Sequence, residues 1–217
     1  MRELRYTLVT DGSSDKALVP ILSWILREHG VSCPIQAEWA DLGWLPEPPK
    51  GLELRIRRSL ELFRCDLLFV HRDAENLSYS ARKAEITAAL ARIANTPAPA
   101  VCVVPVRMLE AWLLFDEAAL RHAAGNPNGQ FPLDIPRPSR WDELSDPKDV
   151  LYRILKDASG LKGRKLHKLR VRNCARRVTG YTSGFSPLRV LDAFRCLEAD
   201  IAATVANYHW NIPFHQS

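Results

Sequence analysis

The sequence predicts an α/β protein: a mainly parallel sheet flanked by helices, followed by a helical C-terminal extension. Three observations lead there. Short apolar runs alternate with segments whose apolar residues recur at helical spacing, the alternation of a parallel sheet with crossover helices. Three of those runs, Tyr6–Thr10, Asp66–Val70 and Val101–Pro105, are each followed within a few residues by acidic side chains. Past about residue 140 the strand signals stop while helical ones continue.

The elements follow in order. Leu4 to Thr10 reads as a strand. From Asp15 to His29, Leu18, Leu22, Ile25 and Leu26 mark a helix, with Ser14 placed to cap it and Gly30 to end it. Pro34 to Trp39 is a weaker strand, and Leu45 to Gly51 a proline-rich loop. Leu52, Ile56, Leu60 and Phe63 define a helical face, and Leu67 to His71 a buried strand. Ser78 to Ala94 reads as a helix through Ile86, Leu90 and Ile93, Val101 to Pro105 as a strand, and Met108 to Ala123 as a helix. Together these give an α/β core over residues 1–124. A linker loop rich in Pro, Gly and Asn covers 125–140, and a basic, helical region covers 141–217. In that region Asp146-Pro147-Lys148 has the pattern of a helix start. Ser186-Pro187-Leu188 opens a last helix expected to reach Tyr208.

The apolar content of 47% and charged content of 25% are those of an ordinary globular chain. No apolar run approaches the roughly 18 residues of a membrane span, and the N-terminus lacks the apolar stretch of a secretory leader. The five cysteines are scattered, without metal-ligand spacing, and read as reduced thiols of a cytoplasmic protein. The net charge is +5, unevenly spread. Between Ala158 and Leu191 stand Lys162, Arg164, Lys165, Lys168, Arg170, Arg172, Arg176, Arg177 and Arg189 with no acid among them, so the rest of the chain is net acidic. The first eight form either a nucleic-acid-binding segment or a solvated basic face packed against acids elsewhere.

If the three acid-bearing runs are neighbouring parallel strands, their ends converge on one sheet edge, where open α/β folds place ligands. Converging carboxylates repel and call for a cation. Asp11 stands directly at the first strand end. Ser14 and Asp15 are explained by helix capping. Asp73 and Glu75, two apart on an extended exit, point the same way. Glu110 lies among apolar residues, where a carboxylate is costly unless used. Arg72 and Arg107 are the phosphate or substrate contacts nearest these acids, and His71 reads as a ligand or as packing. The chain carries no P-loop, no Gly-x-Gly-x-x-Gly after the first strand and no Gly-x-Ser-x-Gly elbow, which argues against those chemistries.

Thr10-Asp11-Gly12-Ser13-Ser14-Asp15 resembles the Glu-Gly-x-Ser/Thr-Asp/Glu signature of Toprim domains, and Asp73-Ala74-Glu75 resembles their Asp-x-Asp motif. Pro105 to Trp112, Asp146-Pro147-Lys148 and Phe185-Ser186-Pro187 are similar to segments of a Toprim-like bacterial family of unknown function, whose relatives accompany phage-defence systems. The resemblance implies a Toprim-like, Rossmann-like core and a Mg²⁺- or Mn²⁺-dependent nuclease chemistry on DNA or RNA. Asp11, Asp73 and Glu75 would be catalytic, and Asp11, Asp73, Glu75 and Glu110 would hold metal. The main rival is a non-catalytic Toprim-like module that binds a partner such as an ATPase encoded nearby, and a third reading is a small-molecule nucleotide hydrolase. Asp11 replaces the family Glu, and Glu75 replaces Asp. Each keeps the charge and changes the reach by one methylene.

Overall fold

Two apolar faces on one set of strands determine the architecture. The computed structural model describes residues 3–93 and 96–212. Four strands, β1 (Leu4–Val9), β2 (Ile35–Trp39), β3 (Leu67–His71) and β4 (Ala100–Val103), form one all-parallel sheet in the order β2-β1-β3-β4. The three acid-bearing runs are therefore adjacent, with Val9 opposite Val70 and His71 opposite Val103. β3 is buried along its whole length, as its unbroken apolar run requires of a central parallel strand.

Side chains alternate between the two faces. Leu4, Tyr6, Leu8, Leu67, Phe69, Val101 and Val103 belong to one core. It includes residues of helices α1 (Leu18–Glu28), α4 (Glu117–Ala123), α5 (Pro147–Ser159), α7 (Val171–Arg177) and α8 (Asp192–Asn207). Val9, Leu68, Val70 and Cys102 belong to a second core with Ile56 of α2 (Leu52–Leu62) and Ile86 and Ala89 of α3 (Tyr79–Ala91). The short helix α6 (Gly163–His167) buries no residue. The five helices of the first face thus include α5, α7 and α8 from the C-terminal region. Trp112 meets Phe194 of α8 edge-on at 5.3 Å between ring centroids.

Caps explain several boundaries. Ser78 accepts a hydrogen bond from the Ala81 amide at 3.2 Å and starts α3, whose expected end at Ala94 lies outside the described residues. Asp146 accepts from the Asp149 amide at 2.9 Å, Pro147 opens α5, and Gly160 ends it at φ 65°. Three expected helices are divided. The first begins as a 3-10 turn, Ser13–Ala17, before α1, and Ser14 lies inside that turn. The Asp15 carboxylate holds its start by accepting from the Gly12 amide at 3.0 Å. The expected helix from Met108 is a 3-10 turn, Leu109–Leu113, followed by α4. Asp116 breaks it with an extended backbone while its carboxylate caps the Ala119 amide at 2.9 Å. The last helix is split by the extended Leu191 into a 3-10 turn, Ser186–Val190, and α8. No described helix is long and apolar enough to cross a membrane. All five cysteines are free thiols.

Candidate functional site

The segments leaving β3 and β4 continue to pair beyond the sheet. The amides of Arg72, Ala74 and Glu75 donate to the carbonyls of Val103, Pro105 and Arg107 at 3.1, 2.9 and 2.9 Å. Glu75 and Arg107 both have left-handed backbones, at φ 54° and 61°. For side chains other than Gly, Asn or Asp that conformation is uncommon, and it concentrates where a site dictates the backbone. The turn swings the Glu75 carboxylate out to solvent, 3.5 Å from Arg82 of α3. Arg107 reaches the Asn76 side chain at 3.3 Å.

Strand parity divides the acids. Asp11 extends β1 on the parity of Val9, the α2/α3 face. There it meets Arg55 of α2 at 2.9 Å and Arg72 at 2.7 Å, and Arg72 also binds Glu85 of α3 at 2.7 Å. His71 and Asp73 follow the parity of Phe69, toward the other face. His71 is wholly buried between two carboxylates, its Nδ1 3.4 Å from Asp15 and its Nε2 3.3 Å from Asp73. Burial opposes its charge, but the two neighbouring carboxylates, Asp15 and Asp73, outweigh that and raise its pKa to about 9. Asp15 is held below the usual carboxylate range: burial opposes this, and His71, the Gly12 amide and Ser14 prevail. Asp73 also accepts from the Leu109 amide at 2.8 Å, which ties the β3 exit to the turn carrying Glu110.

Glu110, like Asp15, is a buried acid of this edge. Desolvation pushes its pKa up, its own backbone amide and Lys148 act against that, and Asp73 and Asp15 add to the rise. Among the described residues its ion-pair partner is Lys148 from the first turn of α5, at 3.9 Å. Both line a cavity of about 170 Å³ with Ser13 and Ser14 of the first loop, Tyr152 of α5, and Arg172 and Arg176 of α7. Arg176 donates to the Ser13 hydroxyl. Residues 172 and 176 are one helical turn apart, so α7 presents both to the cavity. A pocket with a buried carboxylate on one wall and three cations with two hydroxyls on the others suits a phosphate ester.

The structure therefore does not bring the four expected acids together. Asp73 and Glu110 share this edge, Asp11 lies on the opposite face, and Glu75 faces solvent. Among the described residues, no three His, Cys, Asp or Glu side chains are gathered to cage a metal ion. Mg²⁺, however, is commonly held by one or two carboxylates, with water and substrate phosphate completing its shell. Asp73 and Glu110, hard oxygen donors whose charges already act on each other, fit that smaller donor set. Of the basic segment, Arg172 and Arg176 reach the cavity. Lys162, Arg164, Lys165, Lys168 and Arg170 are exposed, and Arg177 donates to the Ala123 carbonyl at the end of α4 at 3.0 Å. Sequence reasoning treated Lys148 as a helix start, Ser14 and Asp15 as caps, and gave Ser13 and Tyr152 no role. Of these, Lys148 carries a signal through its place in the Asp-Pro-Lys stretch, and Ser13, Ser14 and Asp15 carry one through the Thr10–Asp15 stretch.

No family model, no curated protein and no solved structure matches this chain.

Proposed function

We propose that the chain is a divalent-metal-dependent phosphodiesterase acting on nucleic acid, the chemistry that the Toprim-like resemblance implies. One observation carries the reading: a buried carboxylate, Glu110, lines one small cavity together with three cationic side chains, of which Lys148 is its ion-pair partner, at the carboxyl ends of parallel strands. In this reading Lys148, Arg172 and Arg176 bind the phosphate oxygens, and the Ser13 and Ser14 hydroxyls orient the group. Asp73 and Glu110 are the residues that would hold Mg²⁺ or Mn²⁺, which when bound neutralises phosphate charge and lowers the pKa of water. His71 acts as a positioning residue, fixing Asp73 through one ring nitrogen while Asp15 fixes the other. The exposed cations from Lys162 to Arg170 add affinity for the nucleic-acid backbone that salt weakens.

The test is incubation with plasmid, linear duplex and single-stranded substrates in Mg²⁺ and then Mn²⁺. Cleavage that EDTA abolishes is expected. Absence of cleavage of every substrate with both metals contradicts the reading. A second reading, a binding subunit for an ATPase partner, has one observation in its favour. Asp11 is neutralised by two arginines and Glu75 lies against a third, so two of the family's motif positions are engaged in ion pairs. It predicts retention of nucleic acid or of the ATPase without cleavage.

A further inference from the structure

A second cavity adjoins the cationic one. It measures about 510 Å³ and is lined by Lys16 from the 3-10 turn, Val19 and Pro20 from the start of α1, and Thr179, Gly180 and Tyr181 from the turn after α7, with Arg176 and Arg177 between. Arg176 lines both cavities. We propose that this cavity is a nucleobase subsite, which receives the base of the nucleotide whose phosphate occupies the Lys148–Arg172–Arg176 pocket. The proposal rests on the phosphate role of that pocket and names the unit it recognises: a nucleoside monophosphate moiety, free or at a strand end.

Size divides the two sites. Whole small ligands occupy cavities of roughly 300–1,000 Å³. The cationic cavity falls below that range and takes a phosphoryl group, and its neighbour falls inside it. Lining chemistry divides them the same way. The smaller sets charges and hydroxyls beside Leu109 and Leu113. The larger has Val19, Pro20 and an aromatic ring as its walls, with Lys16 at hand for a base edge. That combination of apolar walls and few polar groups is the usual character of an organic-ligand pocket. Tyr181 is the specific element. Its ring stacks on His122 of α4, with centroids 5.3 Å apart and planes inclined by 23°, so its orientation is fixed before any ligand arrives. It is nonetheless 47% exposed. A tyrosine held by stacking and left open to solvent is a platform on which a base can stack, and such stacking tolerates any base. The shared Arg176 supplies the connection, because a nucleotide places its base beside its own phosphate.

The experiment is calorimetric titration of the intact protein in EDTA with inorganic phosphate, ribose 5-phosphate and AMP. AMP is expected to bind on the order of tenfold more tightly than ribose 5-phosphate. Tyr181→Ala is expected to remove that advantage and leave ribose 5-phosphate binding unchanged, while Tyr181→Phe keeps it. Equal affinity for AMP and ribose 5-phosphate in the wild-type protein overturns the base subsite and leaves the phosphate pocket standing. Failure of all three probes to bind overturns both. Loss of ribose 5-phosphate binding in Tyr181→Ala contradicts the division between the subsites. Metal-dependent cleavage is read separately, so failure of the phosphodiesterase reading shows there and not in these titrations.

Discussion

Glu110 concentrates the chemistry of this protein in one residue. A carboxylate buried among apolar neighbours, with Lys148 at 3.9 Å, costs stability, and such a cost is kept where function needs the group. Glu110→Gln keeps the shape and removes the charge. In metal-free buffer at neutral pH the variant is expected to be as stable as the wild type or more so, by about 1 kcal/mol, measured by thermal unfolding. A fall in melting temperature would mark Glu110 as a structural partner of Lys148. Asp11 and Asp15 give the complementary lesson. Both stand in the first motif, and the sequence reading assigned function to Asp11 and capping to Asp15. Position at a strand end was legible. Which face the side chain joins depends on strand parity: Asp11 follows Val9 to the α2/α3 face, where Arg55 and Arg72 hold it. Asp15, inside the 3-10 turn, arrives beside His71 while it caps that turn.

Among the elements, the inner strand β3 is readable because a parallel strand buried on both faces leaves an unbroken apolar run, the edge strand β2 alternates and is weaker, and Ser78 and Asp146 mark helix starts by their caps. The divided helices are not readable, because the turns at Leu109–Leu113 and Ser186–Val190 follow local packing rather than the helical period. The basic segment also resolves by element. Arg189, counted with it in sequence, ties two helices together. Its guanidinium binds Glu198 of α8 at 2.6 Å and Glu28 of α1 at 3.3 Å, over the Trp24 ring. The hydrogen bonds from Arg189 hold the Glu198 carboxyl below its ordinary value of 4.5. A depressed folded-state pKa gives stability that is present above the unfolded value and is lost as pH falls. Glu198→Gln is therefore expected to lower stability at neutral pH by up to about 1 kcal/mol, the ceiling for pairs screened by solvent. The difference from wild type should vanish as pH drops well below 4.5. Chemical denaturation across that range checks it, and a pH-independent difference would contradict the ion-pair account.

At the scale of the molecule, the sequence placed a helical region after an α/β core. It could not reveal that α5, α7 and α8 close one face of the sheet, since periodicity marks an apolar stripe without naming what covers it. The functional pocket depends on that closure: Glu110 comes from the strand-end turn, while Lys148, Arg172 and Arg176 come from α5 and α7. A fragment ending at residue 124 would expose Phe69, Val103 and Trp112, all wholly buried in the full chain. It is expected to lose cooperative thermal unfolding and near-UV dichroism. A fragment that melts cooperatively would show the C-terminal helices to be dispensable for the core.

The most direct test of the strand-end site sets Glu110→Gln and Asp73→Asn against Asp11→Asn in one nucleic-acid cleavage assay with Mn²⁺. Division of the acids between two faces of the sheet predicts that the first two variants lose cleavage by at least a hundredfold, while Asp11→Asn retains most of it. Loss of activity in Asp11→Asn with full activity in Glu110→Gln would contradict the account and move the reacting centre to the α2/α3 face.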